Sequence, residues 1–258
     1  MKTMPITKFN KDNIIKEIGH DIESDIYLYR DKNNVVTFKK FRKDFDALGN
    51  LYDPSNKELK LLLLNESKAL INDIKLLKRV YDEDQFIGYT SCYEPHKTLE
   101  SFAFTSKKKR INFLEQIQQK YQELNKEGIY IGDFNEKNFA VFGDNIRLFN
   151  IDNFRIGDID FDVKDTIMKD YLDRCPDNIK NVDYFCFNYF VMSYISKIAK
   201  SYILWQLYYN DLPKEFKTEE CKKIYQKLLK INDKTKVDLL PNGDQRTMLK
   251  EMKRGLFN

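Results

Sequence analysis

The chain has 258 residues, which is enough for one large domain or for two lobes that share a cleft. Charged residues make up 33% of it and hydrophobic residues 42%, a balance that excludes a membrane-embedded chain and an intrinsically disordered one. The formal net charge is +4, and so small an excess of basic side chains does not indicate a nucleic-acid partner.

Strand-like alternation of apolar and polar residues marks the first third of the chain. Three strands are predicted there, at Ile14–Ile18, Ser24–Tyr29 and Val35–Phe41. The last two are separated by Asp-Lys-Asn-Asn at residues 31–34, a sequence typical of a turn. This part of the chain is therefore predicted to form an antiparallel sheet.

A long helix is predicted from about Lys57 to Arg79. Its apolar residues recur at helical spacing, at Leu63, Leu70, Ile74 and Leu77. Another strand is predicted at Gln85–Tyr93, after which Pro95 interrupts regular structure.

Helices are predicted to dominate the remainder. An amphipathic helix over Arg110–Glu127 ends at Gly128, and two short strands between Val141 and Leu148 flank a turn at residues 143–145. Three later helices are predicted at Tyr184–Tyr209, Glu219–Ile231 and Arg246–Arg254. The order predicts an α+β fold in a single domain, with a strand-rich lobe at 1–94 and a helical lobe at 95–258.

The cysteines and histidines do not indicate a zinc site, because they are few and scattered. They are Cys92, Cys175, Cys186, Cys221, His20 and His96. The first 25 residues lack a signal-peptide pattern, and the apolar runs are far shorter than the roughly 20 residues that cross a bilayer. We therefore expect a reduced, cytoplasmic protein with no membrane partner.

The most informative stretch runs from Gly128 to Phe154. It holds Asp133 and Asn138 in a D-x-x-x-x-N spacing, followed by Asp152 beyond the predicted hairpin. Oxygen-bearing side chains in this order can hold Mg²⁺ on ATP and orient an attacking hydroxyl. The alternative is that Asp133 and Asn138 are turn and cap residues, which these residue types often are.

This stretch resembles the catalytic loop, hairpin and metal-binding motif of the protein-kinase-like superfamily. The resemblance implies that Asp133 orients the acceptor hydroxyl while Asn138 and Asp152 hold Mg²⁺. The His and Arg that usually precede the aspartate are replaced by Ile131 and Gly132. This motif is more similar to that of atypical and small-molecule kinases than to that of ordinary protein kinases.

Two further departures concern residues after the key acids. Asn135 stands where protein kinases usually carry a lysine, two residues after the catalytic aspartate. Asn153 and Phe154 replace the last two residues of D-F-G. The resemblance also implies that Asp183, at the start of a predicted helix, bonds backbone amides of the catalytic loop and is structural.

The same resemblance assigns residues in the first third. Lys39 matches the lysine that bridges the α- and β-phosphates, with Lys40 as an adjacent rival. Glu66 is nominated as the partner of Lys39, and Glu58 is its rival nearer the helix start. Gly19 is the one glycine kept from the phosphate-binding loop.

The acidic residues in that loop favour a different function. Asp21, Glu23 and Asp25 would place negative charge near the phosphates of ATP. This is the observation that favours a pseudokinase, a module that binds a partner without catalysis.

We expect an ATP- and Mg²⁺-dependent phosphotransferase that moves the γ-phosphoryl group to a hydroxyl, with protein Ser/Thr as the favoured acceptor. A small-molecule kinase and a pseudokinase are the alternatives, and transfer of a nucleotide in place of a phosphoryl group stays open. Aromatic residues among lysines at 202–217 prompt a nucleic-acid-associated function, which is the least favoured because they fit ordinary helix faces. No oligomeric state is predicted.

Overall fold

The computed structural model describes residues 4–21, 23–42, 54–73, 75–161, 164–196 and 200. The chain divides into two compact units, Met1–His96 and Lys97–Asn258. The first, which we call the N-terminal unit, is rich in strands, and the second, the C-terminal unit, contains the longer helices. The predicted α+β class is confirmed.

A six-stranded sheet forms most of the N-terminal unit. Its strands are β1 (Ile6–Lys8), β2 (Ile14–His20), β3 (Ser24–Asp31), β4 (Asn34–Phe41), β5 (Leu76–Asp82) and β6 (Gln85–Cys92). The spatial order is β1-β5-β6-β4-β3-β2, with β1 parallel to β5 and the remaining neighbours antiparallel. The strands predicted in the first third and at Gln85 are therefore confirmed.

The core of this sheet is an apolar cluster of Tyr29, Val36, Phe38, Val80 and Ile87. Phe38 is fully buried in this core. Its neighbour Lys39 lies on the opposite face of the sheet, because successive side chains of a strand alternate between faces. The strand thereby fixes where Lys39 lies.

The predicted helix from Lys57 to Arg79 is wrong beyond its first turns. Helix α1 runs over Pro54–Leu64, the chain then turns, and β5 begins at Leu76. Pairing of β5 with β6 buries Val80 completely, and this gain outweighs the helical spacing of the leucines. The spacing of apolar residues within one segment does not reveal that the segment will pair with another strand.

The described residues of the C-terminal unit form three helices, α2 (Lys107–Lys126), α3 (Thr166–Arg174) and α4 (Val182–Ser196). Short strands form two small sheets, one of β10 (Asn145–Leu148), β9 (Phe139–Phe142) and β7 (Lys97–Thr98), the other of β11 (Arg155–Ile156) and β8 (Ile129–Tyr130). The predicted helix ending at Gly128 and the hairpin around Gly143 are confirmed.

Helix α4 confirms the first part of the predicted Tyr184–Tyr209 helix. The remainder of that helix, the helices at Glu219–Ile231 and Arg246–Arg254, Cys221 and the 202–217 segment lie outside the described residues.

The core of the C-terminal unit is aromatic. Phe134 contacts Tyr121, Phe139, Phe187 and Phe190, with ring centroids 5.6–6.3 Å apart. Helix α4 is apolar on most sides and accordingly buried, yet none of the described helices is long and apolar enough to cross a membrane. Since Phe134 directly follows Asp133, this core anchors the loop that carries the predicted acid.

Candidate functional site

The loop after β8 brings two predicted site residues together. Asp133 lies in this loop, and Asn138 ends the single 3-10 turn that follows, at Glu136–Asn138. The Asn138 Nδ2 donates to the Asp133 carbonyl oxygen at 3.0 Å and to Asp133 Oδ2 at 3.2 Å. Asn135 supports the turn by accepting from the Lys137 N–H at 3.0 Å. The D-x-x-x-x-N spacing therefore forms a turn and also orients one oxygen of the Asp133 carboxylate.

Asn138 also connects this loop to the end of β10. Its Oδ1 accepts a hydrogen bond from Asn150 Nδ2 at 3.1 Å, and its carbonyl accepts from the Phe149 N–H at 2.8 Å. Asn150 has a left-handed backbone (φ 53°), a conformation that asparagine adopts more readily than most residues. The turn it makes leads directly to Asp152, whose side chain is fully buried.

Asp183 holds the backbone just before Asp133. Its Oδ2 accepts from the Ile131 N–H at 3.0 Å and its Oδ1 from the Gly132 N–H at 2.7 Å. With its amide turned to donate, Asn125 adds a third contact, 2.7 Å from Asp183 Oδ2. Burial raises the pKa of Asp183 to about 7, and the two backbone hydrogen bonds limit that rise. The predicted contacts of Asp183 with the loop amides are present.

Gly132 is required at its position by backbone conformation and by space. Its φ is +67°, where side chains other than glycine are strained. A Cβ there would lie 2.6 Å from Met168 Sδ of α3 and 2.6 Å from Phe161 Cε1. Glycine at position 132 thus lets the loop approach α3 closely.

A lysine outside the predicted set lies beside Asp133. Lys200 Nζ is 3.6 Å from Asp133 Oδ1 and 2.6 Å from Asp165 Oδ2. It also donates to the Phe134 carbonyl at 2.8 Å. Burial raises the pKa of Asp133, and the charge of Lys200 opposes that rise. Burial lowers the pKa of Lys200, but Asp165 and Asp133 together more than reverse this, so Lys200 stays protonated.

In the N-terminal unit, Lys39 is buried on β4 and pairs with an acid of the predicted phosphate loop. Its Nζ is 2.9 Å from Asp21 Oδ2. The other oxygen of Asp21 accepts from the Glu23 N–H at 2.9 Å and from Ser24 Oγ at 2.7 Å. Lys40, the rival of Lys39, lies over the ring of Phe9 at 4.8 Å.

The other acids of that loop also have basic partners within this unit. Glu23 forms a buried ion pair with Lys57 of α1, and Asp25 pairs with Arg42 at the surface. Each of the three acids whose negative charge would weaken ATP binding is therefore paired with a basic side chain.

Glu66 and Gly19 are the two predicted site residues of the N-terminal unit that have open space around them. Glu66 is exposed in the turn after α1, because that helix ends at Leu64 and not at Arg79. Its rival Glu58 lies on the helix and pairs with Arg79 of β5. Gly19 lies in β2 opposite Ile26, and a Cβ added there would meet open space.

The predicted residues thus fall into two groups. In the C-terminal unit, Asn138 contacts Asp133, Asp183 binds the backbone just before Asp133, and Asp152 lies two residues after Asn150. Gly19, Lys39 and Glu66 belong to the N-terminal unit. No group of three or more His, Cys, Asp or Glu side chains among the described residues is arranged to hold a metal ion. An amide oxygen and a single carboxylate need no such group, because phosphates and water complete the octahedral shell of Mg²⁺.

Sequence reasoning missed three residues. Asp165 is the N-cap of α3 and accepts from the Met168 N–H at 2.8 Å, so the Asp-Thr pair before the helix is a usable capping signal. Asn150 and Lys200 had no such signal, because their partners are distant in sequence.

No protein-family model matches this chain, and comparison with curated proteins found no match either.

Proposed function

We propose that the chain is an ATP- and Mg²⁺-dependent phosphotransferase that transfers the γ-phosphoryl group to a hydroxyl. The observation that carries the proposal is the hydrogen-bonded series Asp133–Asn138–Asn150, which ends two residues before the buried Asp152. A turn or cap role is enough to explain Asn135 and the 3-10 turn. It does not explain why the side-chain amide of Asn138 contacts both Asp133 and Asn150, which follows β10. A two-lobed, kinase-like arrangement and a cytoplasmic location belong to the same proposal.

Asn138 and Asp152 fit Mg²⁺ by the chemistry of their donors. Both offer hard oxygen atoms, and Mg²⁺ in nucleotide enzymes is held by one or two such side chains together with phosphates. When bound, Mg²⁺ neutralises charge on the phosphates. Asn138 Oδ1 would have to turn partly from Asn150, its hydrogen-bond donor, to serve as a ligand.

Asp133 would act on the acceptor. Its carboxylate accepts the proton of the hydroxyl as the hydroxyl oxygen bonds to the γ-phosphorus, and the bond to the β-phosphate oxygen breaks to release ADP. Burial raises its pKa, which makes it a stronger base than an exposed aspartate. Asp183 and Asn138 supply orientation, so most of the rate gain comes from positioning.

The acceptor is a hydroxyl of a protein serine or threonine, or of a small molecule. Lys39 would contribute the phosphate contact in this proposal, and Gly19 the close backbone approach. Glu66 lacks the helical position that a partner of Lys39 needs, and Asp21 takes that place.

A pseudokinase is the second candidate, and the ion pair between Lys39 and Asp21 favours it. A buried lysine already paired with a carboxylate must exchange that partner before it can bind phosphate. Such an exchange lowers affinity for ATP and suits a module that works through partner binding.

Thermal stabilisation by ATP tests the proposal, because it requires no knowledge of the acceptor. ATP at 100 times its dissociation constant should stabilise the wild type by about 2.7 kcal/mol in the presence of Mg²⁺. Asp152→Asn should lose the Mg²⁺-dependent part. Asp144→Asn, which changes an exposed acid in the β9–β10 turn, serves as the matched control and should keep it.

Two results would count against the enzyme. Absence of stabilisation at millimolar ATP favours the pseudokinase. Equal Mg²⁺-dependent stabilisation of Asp152→Asn and wild type would remove Asp152 from the site.

A further inference from the structure

Lys200 is surrounded by three acceptors in the C-terminal unit. A lysine ammonium has three N–H donors. Two of them meet the Phe134 carbonyl at 2.8 Å and Asp165 Oδ2 at 2.6 Å. Asp133 Oδ1 lies at 3.6 Å, within ion-pair distance but beyond a good hydrogen bond.

The two oxygens of Asp133 consequently have different neighbours. Oδ2 accepts from Asn138 at 3.2 Å, while Oδ1 is attracted by Lys200 without a short hydrogen bond. An oxygen held in this way keeps its orientation and retains the capacity to accept a proton from a hydroxyl. About a fifth of each side chain, Asp133 and Lys200, is exposed, so a small ligand can approach.

Asp165 fixes the position of Lys200. One oxygen of Asp165 caps α3 through the Met168 N–H at 2.8 Å, and the other binds Lys200. Met168 in turn lies against Gly132, the residue before Asp133. Three contacts therefore hold this region together: Lys200 with the Phe134 carbonyl, Lys200 with Asp165, and Met168 with Gly132.

We propose that Lys200 is a positioning residue for Asp133: it holds the loop through the Phe134 carbonyl and orients the Asp133 carboxylate, with Asp165 as its anchor. The proposal rests on the proposed phosphotransferase function. It adds to that function a residue from a later part of the chain, which no motif of the sequence identified. Lys200 remains protonated between the two acids, as this role requires.

The test compares Lys200→Met, Lys200→Arg and wild type in the full-length chain. Lys109→Met is the control, because Lys109 forms an exposed ion pair with Asp144 in the same unit, 2.9 Å long. ADP release from Mg·ATP, with water as the acceptor, gives kcat and KM. Hydrogen exchange of a peptide covering residues 131–138 reports the order of the loop.

Lys200→Met should lower kcat about 10- to 100-fold, because misplacing a catalytic group by an ångström has effects of this size. The KM for ATP should change by less than about twofold, since Lys200 is assigned no contact with the nucleotide. The 131–138 peptide should exchange faster. Lys200→Arg, which keeps the charge, should recover most of kcat, and Lys109→Met should match wild type.

Three results would overturn the inference. If exchange of the peptide is unchanged in Lys200→Met, Lys200 does not hold the loop. If exchange rises while kcat stays within about threefold of wild type, its role is structural only. If wild type itself shows neither ADP release nor Mg²⁺-dependent stabilisation, the proposed function fails first, and the wild-type measurement distinguishes that failure from the other two.

Discussion

Replacing Gly132 by alanine should destabilise the C-terminal unit by two separable effects. The first is conformational, because φ is +67° and a left-handed alanine costs about 1–2 kcal/mol. The second is steric, because the added methyl group would lie 2.6 Å from Met168 Sδ and from Phe161 Cε1. Overpacking of this kind costs about 1–3 kcal/mol, so we expect a total of about 2–5 kcal/mol.

Gly143 provides the matched control. Its φ of +63° is nearly the same, but a Cβ there meets open space in the β9–β10 turn. Gly143→Ala should therefore show the conformational cost alone, about 1–2 kcal/mol. The difference between the two variants isolates the close approach of the loop to α3.

Urea unfolding followed by far-UV circular dichroism measures that difference. With a slope near 3 kcal/mol/M, the midpoint of Gly132→Ala should lie about 0.3–1 M below that of Gly143→Ala. Because Met168 is flexible and can turn aside, the lower end of this range applies if only Phe161 resists. Equal midpoints for the two variants would refute the assignment of Gly132 as a close-packing position.

Two further predictions concern buried charges. Since burial raises the pKa of Asp183 to about 7, the folded chain retains a proton there that the unfolded chain releases near pH 4. Stability should thus fall as pH rises from about 4 to 7, and Asp183→Asn should flatten this part of a plot of urea midpoint against pH; an unchanged slope would contradict the shift. Lys57→Met leaves Glu23 buried without its cation and should cost about 3–5 kcal/mol. Arg42→Gln breaks the surface pair with Asp25 and should lower the urea midpoint far less, so similar losses in both variants would contradict this ranking.

Sequence reasoning succeeded where the deciding interactions are local. The helix that ends at Gly128 and the hairpin at Gly143 follow from spacing and turn chemistry within a few residues. The Asp133–Asn138 pair is likewise a contact within one turn. Asp183 is a long-range contact, 51 residues from Gly132, and only the resemblance to a family predicted it.

It failed where distant segments decide the structure. Residues 65–79 carry leucines at helical spacing, but β6 recruits Leu76–Asp82 into the sheet and leaves Glu66 in an exposed turn. The sequence predicts a partner for Lys39 on that helix, whereas the structure provides Asp21, whose side chain also accepts a hydrogen bond from Ser24. Strand pairing and ion-pair choice both depend on tertiary packing, which a single sequence does not display.

The pairing of Lys39 with Asp21 sets what an ATP experiment can decide. If ATP binds at Lys39, its phosphates must compete with a carboxylate 2.9 Å from the lysine, whose side chain is only a twentieth exposed. Modest affinity is then expected even of an enzyme, so a small stabilisation does not by itself count against one. Its dependence on Mg²⁺ and on Asp152 is the informative result, because the proposed function assigns Mg²⁺ to this acid, which follows the Asn138–Asn150 contact. A stabilisation by ATP that depends on neither would contradict the proposal that Asp152 holds Mg²⁺.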